Sequence, residues 1–331
     1  MRIAILTATK RKIGGVESFT HMLKKVFEES GHRVEILTPD ENIPKKKPLL
    51  LKILGLPYLN ARLYKDKISV FDLVIANGEF GWNIHHPNFI VVFHGCYHGF
   101  AKYLSSYLDF KSFLLLKKDA WIQKMGAKDK TVVTVSSFTK NLLEDQGIHV
   151  KHVIPNAVDT ERFKLNDLPK KQRYLCVSNQ YGKLGYFGKG FDILETLASR
   201  GVPIDCVSNS KTSGSINWIP SISQDEIHTI YPEYQALIFP SRYEANAIVP
   251  LEAMACGIPV IMSPVGYANE IRKEIPECVV DDWNPDTYMN RIREIDPIRE
   301  QLSKKCRKFA EKHSLQHFKK NWLDLVENLN K

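Results

Sequence analysis

The sequence predicts an α/β protein with two doubly wound domains, and three observations support this prediction. Short apolar segments alternate with amphipathic ones almost from the first residue. Such alternation is typical of a parallel sheet covered by helices on both faces. The alternation stops at a polar segment, residues 163–172, and then starts again. The 331 residues are enough for two domains of about 150 residues each.

In the first half, RIAILTA is predicted to be a buried strand, and VESFTHMLKKVFEESG an amphipathic helix that ends at Gly31. Further strands are predicted at HRVEILT, FDLVIAN, NFIVVFHG, TVVTVS and HVKHVIPN. In the second half, the predicted strands are RYLCVSN, VPIDCVSN, ALIFPS and IPVIMS. The predicted helices there are KGFDILETLASRG, SQDEIHTIYPEY and PLEAMACG, followed by a basic helical tail. Its predicted buried stripe contains Phe309, Phe318, Trp322, Leu325 and Val326.

Charge is distributed unevenly along the chain. Residues 1–165 hold 25 Lys and Arg against 16 Asp and Glu, which accounts for the whole net charge of +9. This asymmetry indicates an anionic partner for the first half. No apolar run is long enough to span a membrane, and the N-terminus lacks the pattern of a signal peptide, so we expect a cytoplasmic protein. The six cysteines form no C-x-x-C pair and are expected to be reduced structural thiols.

Two candidate sites follow strands of the first half, where ligands bind in open α/β sheets. Gly14 and Gly15 precede a helix whose N-terminus offers N–H groups to an anion, although the pattern is not G-x-G-x-x-G and a plain tight turn is the alternative. His94 ends a buried strand and is suited to bind a polar ligand; the alternative is a satisfied core histidine. No His or Cys spacing fits zinc, and we expect no metal.

Two further candidates lie in the second half. The loop NQYGKLGYFGKG combines glycines with Lys183 and Lys189 before a helix, which suits a diphosphate; the alternative is a flexible solvated loop. Glu244 and Glu252 stand in an otherwise apolar run, with Pro250 in the first turn of a helix between them. Because buried carboxylates are costly without partners, we expect both to flank a bound group at this helix N-terminus.

The stretch SRYEANAIVPLEAMACGIPVI, residues 241–261, resembles the double-glutamate motif of the retaining glycosyltransferases of family four. GGVESFTHMLKKVFEESGHRVEILT is similar to the N-terminal signature of that family, and VIPNAVDTERF to its interdomain segment. The resemblance implies the GT-B fold, with two Rossmann-like domains facing a cleft and a last helix that crosses back. We expect an acceptor-binding domain at 1–165, a nucleotide-sugar-binding domain at 166–308 and the returning helix at 309–331.

The resemblance also implies roles for residues. Glu252 would hold the ribose hydroxyls of the donor, Glu244 the hydroxyls of the transferred sugar, and Lys189 the diphosphate, with Gly15 packed against it. His94 would face the sugar near the reaction centre. The backbone N–H groups of 246–248 would bind sugar and phosphate, and the backbone around 219–220 the base. The candidate catalytic residues are Glu244, His94 and Lys189. The candidate donor-binding residues are Gly14, Gly15, Asn179, Lys183, Lys189, Ile219, Pro220, Glu244, Asn246, Ala247, Ile248 and Glu252.

Three departures from the family pattern bear on these roles. Ala245 and Ala247 stand where the family has glycines after the first glutamate, which puts the choice of donor sugar in question. Ser178 and Asn179 stand where the family has a Gly-Arg pair, and the loop to the phosphate lysine is longer. Lys183 is a candidate to supply this charge in place of the arginine.

The resemblance implies a retaining, metal-independent glycosyltransferase with a UDP- or GDP-linked sugar as donor and no cofactor. The implied acceptor is a glycan or lipid-linked compound of cell-envelope or polysaccharide biosynthesis. Three alternatives stay open: a phosphorylase or sugar-nucleotide epimerase of the same fold, a basic nucleic-acid-binding or DNA-glycosylating protein, and an inactive binding module. No nucleic-acid-binding motif is present, so we expect no nucleic-acid partner.

Two segments of the basic half mix lysines with large apolar side chains, at 43–67 and 100–124. Such segments can lie in a membrane interface, with apolar side chains inserted and lysines on anionic headgroups. The alternative is a core-facing helix with a solvated edge. The sequence therefore predicts a peripheral association with an anionic membrane surface at the cytosolic face.

Overall fold

The computed structural model describes residues 1–11, 14–46, 48–166, 169–179, 181–211, 215–223 and 225–329. The chain divides into two compact units. The first contains Met1–Ala101, Phe110–Ile154 and the chain from Lys319 onward, and the second contains Lys102–Asp109 and Pro155–Phe318. The unit boundaries therefore lie at 155 and 319, whereas the sequence placed them at 166 and 309. Residues 167 and 168 of the expected linker lie outside the described residues.

The first unit is a parallel sheet with helices between its strands. Its sheet order is β2-β1-β3-β4-β5-β6, and every neighbouring pair is parallel. All residues of β3 and β4 are buried, as expected for strands covered on both faces. The elements are β1 (Arg2–Leu6), α1 (Gly15–Glu29), β2 (Arg33–Leu37), α2 (Leu49–Leu54), α3 (Leu56–Tyr64), β3 (Leu73–Asn77), β4 (Phe89–Phe93), α4 (Tyr97–Tyr103), α5 (Phe110–Ala127), β5 (Thr131–Thr134), α6 (Ser137–Asp145) and β6 (His152–Val153).

The second unit has the same architecture, with sheet order β11-β10-β7-β8-β9 and parallel pairing. The edge strand β9 was not predicted as a strand. The last helix, α13, starts in this unit and ends in the first one. The elements are β7 (Tyr174–Val177), α7 (Gly182–Gly188), α8 (Phe191–Ser199), β8 (Ile204–Ser208), β9 (Asn217–Pro220), β10 (Leu237–Phe239), α9 (Ile248–Ala255), β11 (Val260–Met262), α10 (Ala268–Glu274), α11 (Pro285–Ile295), α12 (Arg299–Glu311) and α13 (Leu315–Leu329).

The two parallel sheets confirm the predicted α/β fold with two doubly wound domains. The stripe predicted for the tail is buried in α12 and α13. All six cysteines are buried and unpaired by disulfides. In the described part of the chain, no helix has the length and apolar character that a membrane span requires.

Two local predictions were wrong. The helix expected over SQDEIHTIYPEY consists of two single 3-10 turns, Ile227–Thr229 and Tyr231–Glu233, because Pro232 lacks the N–H that a continuous helix would need. The glycine-rich segment before α8 is largely helix α7 instead of a loop. Its aromatic side chains explain this, since Tyr186 stacks near Phe191 at 6.1 Å and Phe187 stacks on Tyr107 at 4.3 Å.

Candidate functional site

Lys189 and Glu244 form an ion pair in the second unit, through Nζ and Oε1. Lys189 follows α7, and Glu244 follows β10 in the loop that leads to α9. Their side chains are 35% and 15% exposed, so the pair is shielded from solvent on the carboxylate side. The structure thus brings together two of the three candidate catalytic residues.

A close backbone approach holds these two residues in contact. Gly190 has φ +72°, and a Cβ at this position would lie 2.2 Å from the carbonyl oxygen of Pro240. The backbone N–H of Arg242 donates to the carbonyl of Gly188 at 2.8 Å. Only glycine fits both the left-handed conformation and this space, so the Lys-Gly pair fixes where the lysine emerges.

Glu252 lies on α9, with its carboxylate in a different environment. It accepts a hydrogen bond from the Tyr231 hydroxyl at 2.9 Å. Burial raises the pKa of Glu252 to about 7, and the Tyr231 hydrogen bond and the charge of Arg162 oppose this rise. With a pKa of about 7, Glu252 is partly protonated near neutral pH. A ligand that donates hydrogen bonds to its carboxylate would therefore favour the ionised form.

The loop between the two glutamates is fixed by the segment that resembles the interdomain motif. Asn156 Nδ2 donates to the carbonyl of Asn246 at 3.2 Å, and the Tyr267 hydroxyl donates to the carbonyl of Asn156 at 2.8 Å. Helix α9 then begins at Ile248, with Ala247 as a cap residue that gives no side-chain hydrogen bond. Its first N–H groups are therefore suited to bind an anion.

A cavity of about 380 Å³ lies at the carboxyl ends of β8 and β9. Asn179, after β7, accepts hydrogen bonds there from the backbone N–H of Asn209 at 2.8 Å and from the Ser221 hydroxyl at 3.3 Å. The cavity lining includes both residues expected at the base, Ile219 and Pro220. The full lining is Ser208, Asn209, Ser210, Lys211, Trp218, Ile219, Pro220 and Ser221.

In the first unit, His94 follows β4 and is half-buried. Its Nε2 lies 3.0 Å from Asn77 Oδ1 at the end of β3, and its ring contacts Phe19 of α1 edge-on, with centroids 4.5 Å apart. Burial lowers the pKa of His94 to about 4, so the ring is neutral at physiological pH. A neutral imidazole can accept a hydrogen bond from a ligand but cannot supply a full positive charge.

Gly14 and Gly15 lie at the start of α1. Gly14 is the cap residue and provides no side-chain hydrogen bond to the helix. Among the described residues, no atom lies within 4 Å of a Cβ built at Gly15, so their packing does not require the glycine. The first turn of α1 carries Glu17, which complements the positive end of the helix dipole. Residues 12 and 13 of this predicted anion site lie outside the described residues.

Lys183 is not brought to the other candidates. Its side chain is exposed on α7, and within the described ranges no contact joins it to Lys189 or Glu244. Arg242, two residues before Glu244, is a cation that the sequence reasoning missed. It forms a two-pronged ion pair with Asp192, with both distances 2.7 Å, and lies 5.2 Å from the Tyr107 ring. Its charge is thus already balanced by a carboxylate.

The sequence reasoning also missed Tyr231, Asn156 and Asn77, which contact candidate residues. Asn77 ends a predicted strand next to the strand of His94, so strand-end position was a usable signal. Tyr231 carried no signal, because its segment was assigned to a continuous helix. Within the described part of the chain, no group of three or more His, Cys, Asp or Glu is arranged to hold a metal ion.

Comparison with known proteins agrees with the fold. Residues 13–162 match the model of Glycosyltransferase Family 4, and residues 205–313 match Glycosyl transferases group 1. A D-inositol 3-phosphate glycosyltransferase of Geodermatophilus obscurus is 24% identical over 224 residues, which is 57% of this chain and 50% of that protein. The chain spans half or less of the length of the curated relatives that it matches.

Solved structures share the fold along nearly the whole chain. Sucrose-phosphate synthase of Thermosynechococcus elongatus superposes with a TM-score of 0.77 at 18% identity, covering 99% of this chain and 98% of that one. WaaG, a glycosyltransferase involved in lipopolysaccharide biosynthesis, has a TM-score of 0.70 at 16% identity, covering 98% and 99%. The two family matches and the shared fold show that the chain belongs to the glycosyltransferases of the GT-B fold that resemble family four.

Proposed function

We propose that the protein transfers a sugar, with retention of configuration, from a UDP- or GDP-linked donor to a glycan or lipid-linked acceptor. The observation that carries this proposal is the pairing of Lys189 with Glu244 just before α9, the helix that bears Glu252. One cation, two carboxylates and a helix N-terminus form a set that matches a diphosphate joined to two hydroxyl-bearing groups.

The chemistry of each group supports this match. The departing nucleoside diphosphate gains negative charge, which Lys189 and the α9 N-terminus can stabilise without a metal. Sugar and ribose hydroxyls donate to carboxylates, which gives Glu244 and Glu252 partners in the ligand. The cavity beside Ile219 and Pro220 is of a size and position suited to the base. Ala245 and Asn246 are both buried, so little room is left for the donor sugar in this loop.

A thermal-shift screen of nucleoside diphosphates and their sugars tests the donor assignment. A ligand at about 100 times its Kd adds roughly 2.7 kcal/mol of stability, which gives a visible rise in Tm. Glu252→Ala should lose the shift. Glu294→Ala, which removes an exposed carboxylate on α11, should keep it. If no nucleotide raises the Tm of the wild-type protein, the donor assignment is wrong.

Product analysis tests the stereochemistry. The anomeric coupling constant of the product, compared with that of the donor, should show retained configuration. Activity should survive a chelator such as EDTA, because the proposed charge stabilisation comes from protein groups. An inverted product or complete loss of activity with EDTA would contradict these parts of the proposal. Turnover with inorganic phosphate as acceptor would identify a phosphorylase instead.

We further propose that the first unit binds an anionic membrane interface, where a lipid-linked acceptor would be found. Helix α2 buries only Leu51, and no residue in the first ten of α5 is buried. These two helices expose large apolar side chains together with lysines. Apolar side chains can insert into a lipid interface while lysines bind its anionic headgroups, so this surface is suited to an anionic membrane. The exposed apolar residues are Leu49, Leu50, Ile53, Phe110, Phe113, Leu114, Leu115 and Trp121. The lysines on these helices are Lys52, Lys111, Lys117, Lys118 and Lys124.

Vesicle co-sedimentation tests the membrane proposal. The protein should bind vesicles with anionic phosphatidylglycerol and bind neutral phosphatidylcholine vesicles at least ten-fold more weakly. The double variant Phe110→Ser, Leu114→Ser should lose binding to anionic vesicles. Val70→Ser should not, since it removes an exposed apolar side chain outside both helices. Equal binding to both vesicle types would overturn the proposal.

A further inference from the structure

A basic cavity of about 580 Å³ lies in the first unit, at the amino ends of β4 and β5. Its lining includes Phe89, the first residue of β4, and Thr131, the first residue of β5. Parallel strands begin at the same edge of a sheet, so the cavity lies at the edge opposite to the strand ends at His94 and Asn77. The length of β4 separates the two edges by about 13 Å. The lysines that line the basic cavity are Lys124, Lys128, Lys130 and Lys151.

Cations dominate the wall of the basic cavity. Among the described residues, Asp129 is the one carboxylate in the lining, so with the four lysines the formal net charge is +3. Within the same ranges these four lysines form no ion pair, whereas Lys118 of α5 and Lys140 of α6 each pair with a carboxylate. A surplus of positive charge in a concave site raises the local concentration of anions. The cavity therefore favours an anionic ligand.

Two of the ammonium groups are held at the cavity wall by other protein groups. Lys124 Nζ donates to the carbonyl of Gln146 at 3.1 Å, and Lys130 Nζ donates to the carbonyl of Lys128 at 3.2 Å. The Lys130 ammonium also lies 5.1 Å from the centroid of the Phe89 ring. Because an ammonium has three N–H donors, each of these two lysines keeps donors for a ligand. Their fixed positions reduce the entropy that a ligand must overcome.

Lys130 has the most to gain from a bound anion. It is half-buried, whereas the other three lysines are exposed. Burial lowers the pKa of the Lys130 ammonium, and the charge of Asp129 opposes this change. An anion next to a partly desolvated cation interacts with it more strongly than it would in water.

The size and the floor of the basic cavity indicate a small ligand. Val132 and Ile148 are buried apolar residues of its lining. A second cavity of about 300 Å³ shares Lys130 with it and also contains His85 and His86. Lys130 therefore stands where the two cavities meet. A volume of about 580 Å³ is within the range of small-molecule sites, roughly 300–1,000 Å³.

We propose that the basic cavity binds a small soluble compound with a diphosphate or two phosphate groups, at a site separate from the candidate residues at the strand ends. Lysine binds phosphate as a point charge. The net charge of +3 matches two phosphate groups better than one monoester, whose charge is at most about −2. The second cavity, beyond Lys130, would hold the organic part of the compound. This proposal does not depend on the transferase activity.

Calorimetric titration with inorganic pyrophosphate tests the site in the full-length protein. Pyrophosphate can also bind at Lys189, so the titration uses Lys189→Met as the background. This protein should bind one pyrophosphate, at least ten-fold more tightly than inorganic phosphate. Adding Lys128→Met and Lys151→Met should weaken binding at least ten-fold, with an unchanged Tm because both side chains are exposed.

The control variant adds Lys25→Met and Lys140→Met to the same background. It removes the same charge from α1 and α6, outside the cavity lining, and should keep the affinity. Equal weakening in the control would show a general effect of net charge and would overturn the site. Absence of pyrophosphate binding to Lys189→Met would overturn it as well.

Lysine acetylation, read by mass spectrometry, locates the ligand in the wild-type protein. Pyrophosphate should slow the modification of Lys124, Lys128 and Lys151 at least three-fold and leave Lys25 unchanged. Protection of Lys189 alone would overturn the proposal. Protection of the three cavity lysines by phosphatidylglycerol vesicles or duplex DNA, but not by pyrophosphate, would assign the cavity to a lipid headgroup or a nucleic acid instead. Neither measurement requires turnover, so failure of this site leaves the proposed function untouched.

Discussion

The ammonium of Lys189 and the carboxylate of Glu244 neutralise each other in the second unit. Lysine is the group expected to meet the diphosphate, and Glu244 is the group expected to meet the sugar. A bound nucleotide sugar would take hydroxyl contacts to Glu244 and phosphate contacts to Lys189 at the same time. Glu244 therefore competes with the diphosphate for Lys189, because each phosphate contact of Lys189 weakens its ion pair with Glu244.

This competition predicts opposite effects of one substitution on two ligands. Glu244→Gln should bind a nucleoside diphosphate up to about five-fold more tightly, since it removes an ion pair worth about 1 kcal/mol or less. The same variant should lower kcat/KM for the nucleotide sugar at least ten-fold, because it removes a carboxylate from the sugar site. Calorimetric titration and steady-state kinetics measure the two effects. Asp286→Asn, which removes the exposed ion pair with Arg200, is the control and should change neither. Weaker diphosphate binding by Glu244→Gln would contradict the competition.

The sequence identified Glu244 and Lys189 as candidate site residues but did not predict that their side chains form an ion pair. Strand and helix periods were readable because buried apolar residues repeat at fixed spacing, and the strand ends therefore came out within a few residues. The contact depends on Gly190 fitting under the carbonyl of Pro240, which is a relation between segments 50 residues apart. Likewise, α7 was expected to be a loop because its glycines suggested flexibility, whereas Tyr186 and Phe187 supply packing that overrides them. The local sequence pattern gives no information about such contacts between segments that are distant along the chain.

The high pKa of Glu252 predicts a pH-dependent nucleotide affinity. Ribose hydroxyls favour the ionised carboxylate, and its pKa of about 7 means that acidification protonates it before the ligand binds. The Kd should therefore rise below pH 7, approaching ten-fold per pH unit, and level off above about pH 8. Binding at pH 7 should release protons, which calorimetry in buffers of different ionisation enthalpy detects. A Kd independent of pH between 5.5 and 8 would show that Glu252 is not the ribose ligand.

Tyr231→Phe provides the matched change for this pH dependence. The Tyr231 hydroxyl donates to the Glu252 carboxylate and thereby lowers its pKa, so its removal should raise the pKa further. The midpoint of the Kd profile should move to higher pH.

The raised pKa of Glu252 also makes the stability of the protein depend on pH. The pKa in the folded state lies above the unfolded value, so Glu252 favours folding at low pH. This contribution to stability is lost as pH rises from about 4.5 through 7. Glu252→Gln should therefore raise the Tm more at pH 8 than at pH 5.

Alanine substitutions at Gly15 and Gly190 distinguish a glycine needed for ligand binding from a glycine needed for folding. In the part of the chain that the structure describes, an alanine Cβ at position 15 meets no atom within 4 Å, so Gly15→Ala should keep or slightly raise the Tm, given the helix propensity of alanine. It should nevertheless weaken donor binding at least ten-fold if the diphosphate lies against this backbone. Gly190→Ala should lower the Tm by several degrees, because its Cβ would lie 2.2 Å from the Pro240 oxygen. Gly182→Ala is the control for Gly190→Ala. Gly182 has φ +63°, and a Cβ there would meet no described atom within 4 Å, so this variant tests the backbone strain alone. Unchanged donor affinity in Gly15→Ala would remove Gly15 from the site.

Arg307 links the end of the glutamate helix to the rest of the second unit. Its Nη1 donates to the carbonyls of Ala255 and Phe163, both at 2.8 Å, and its Nε donates to Glu311 at 2.8 Å. Lysine has no planar fork and cannot make these contacts together, so Arg307→Lys should cost about 1–3 kcal/mol and lower the Tm by several degrees. Since Ala255 ends α9, nucleotide affinity should fall as well. Arg293→Lys is the control, because its one weak contact, to Asn290 at 3.5 Å, can be lost without effect. An Arg307→Lys protein that melts with the wild type would show that these carbonyls find other donors.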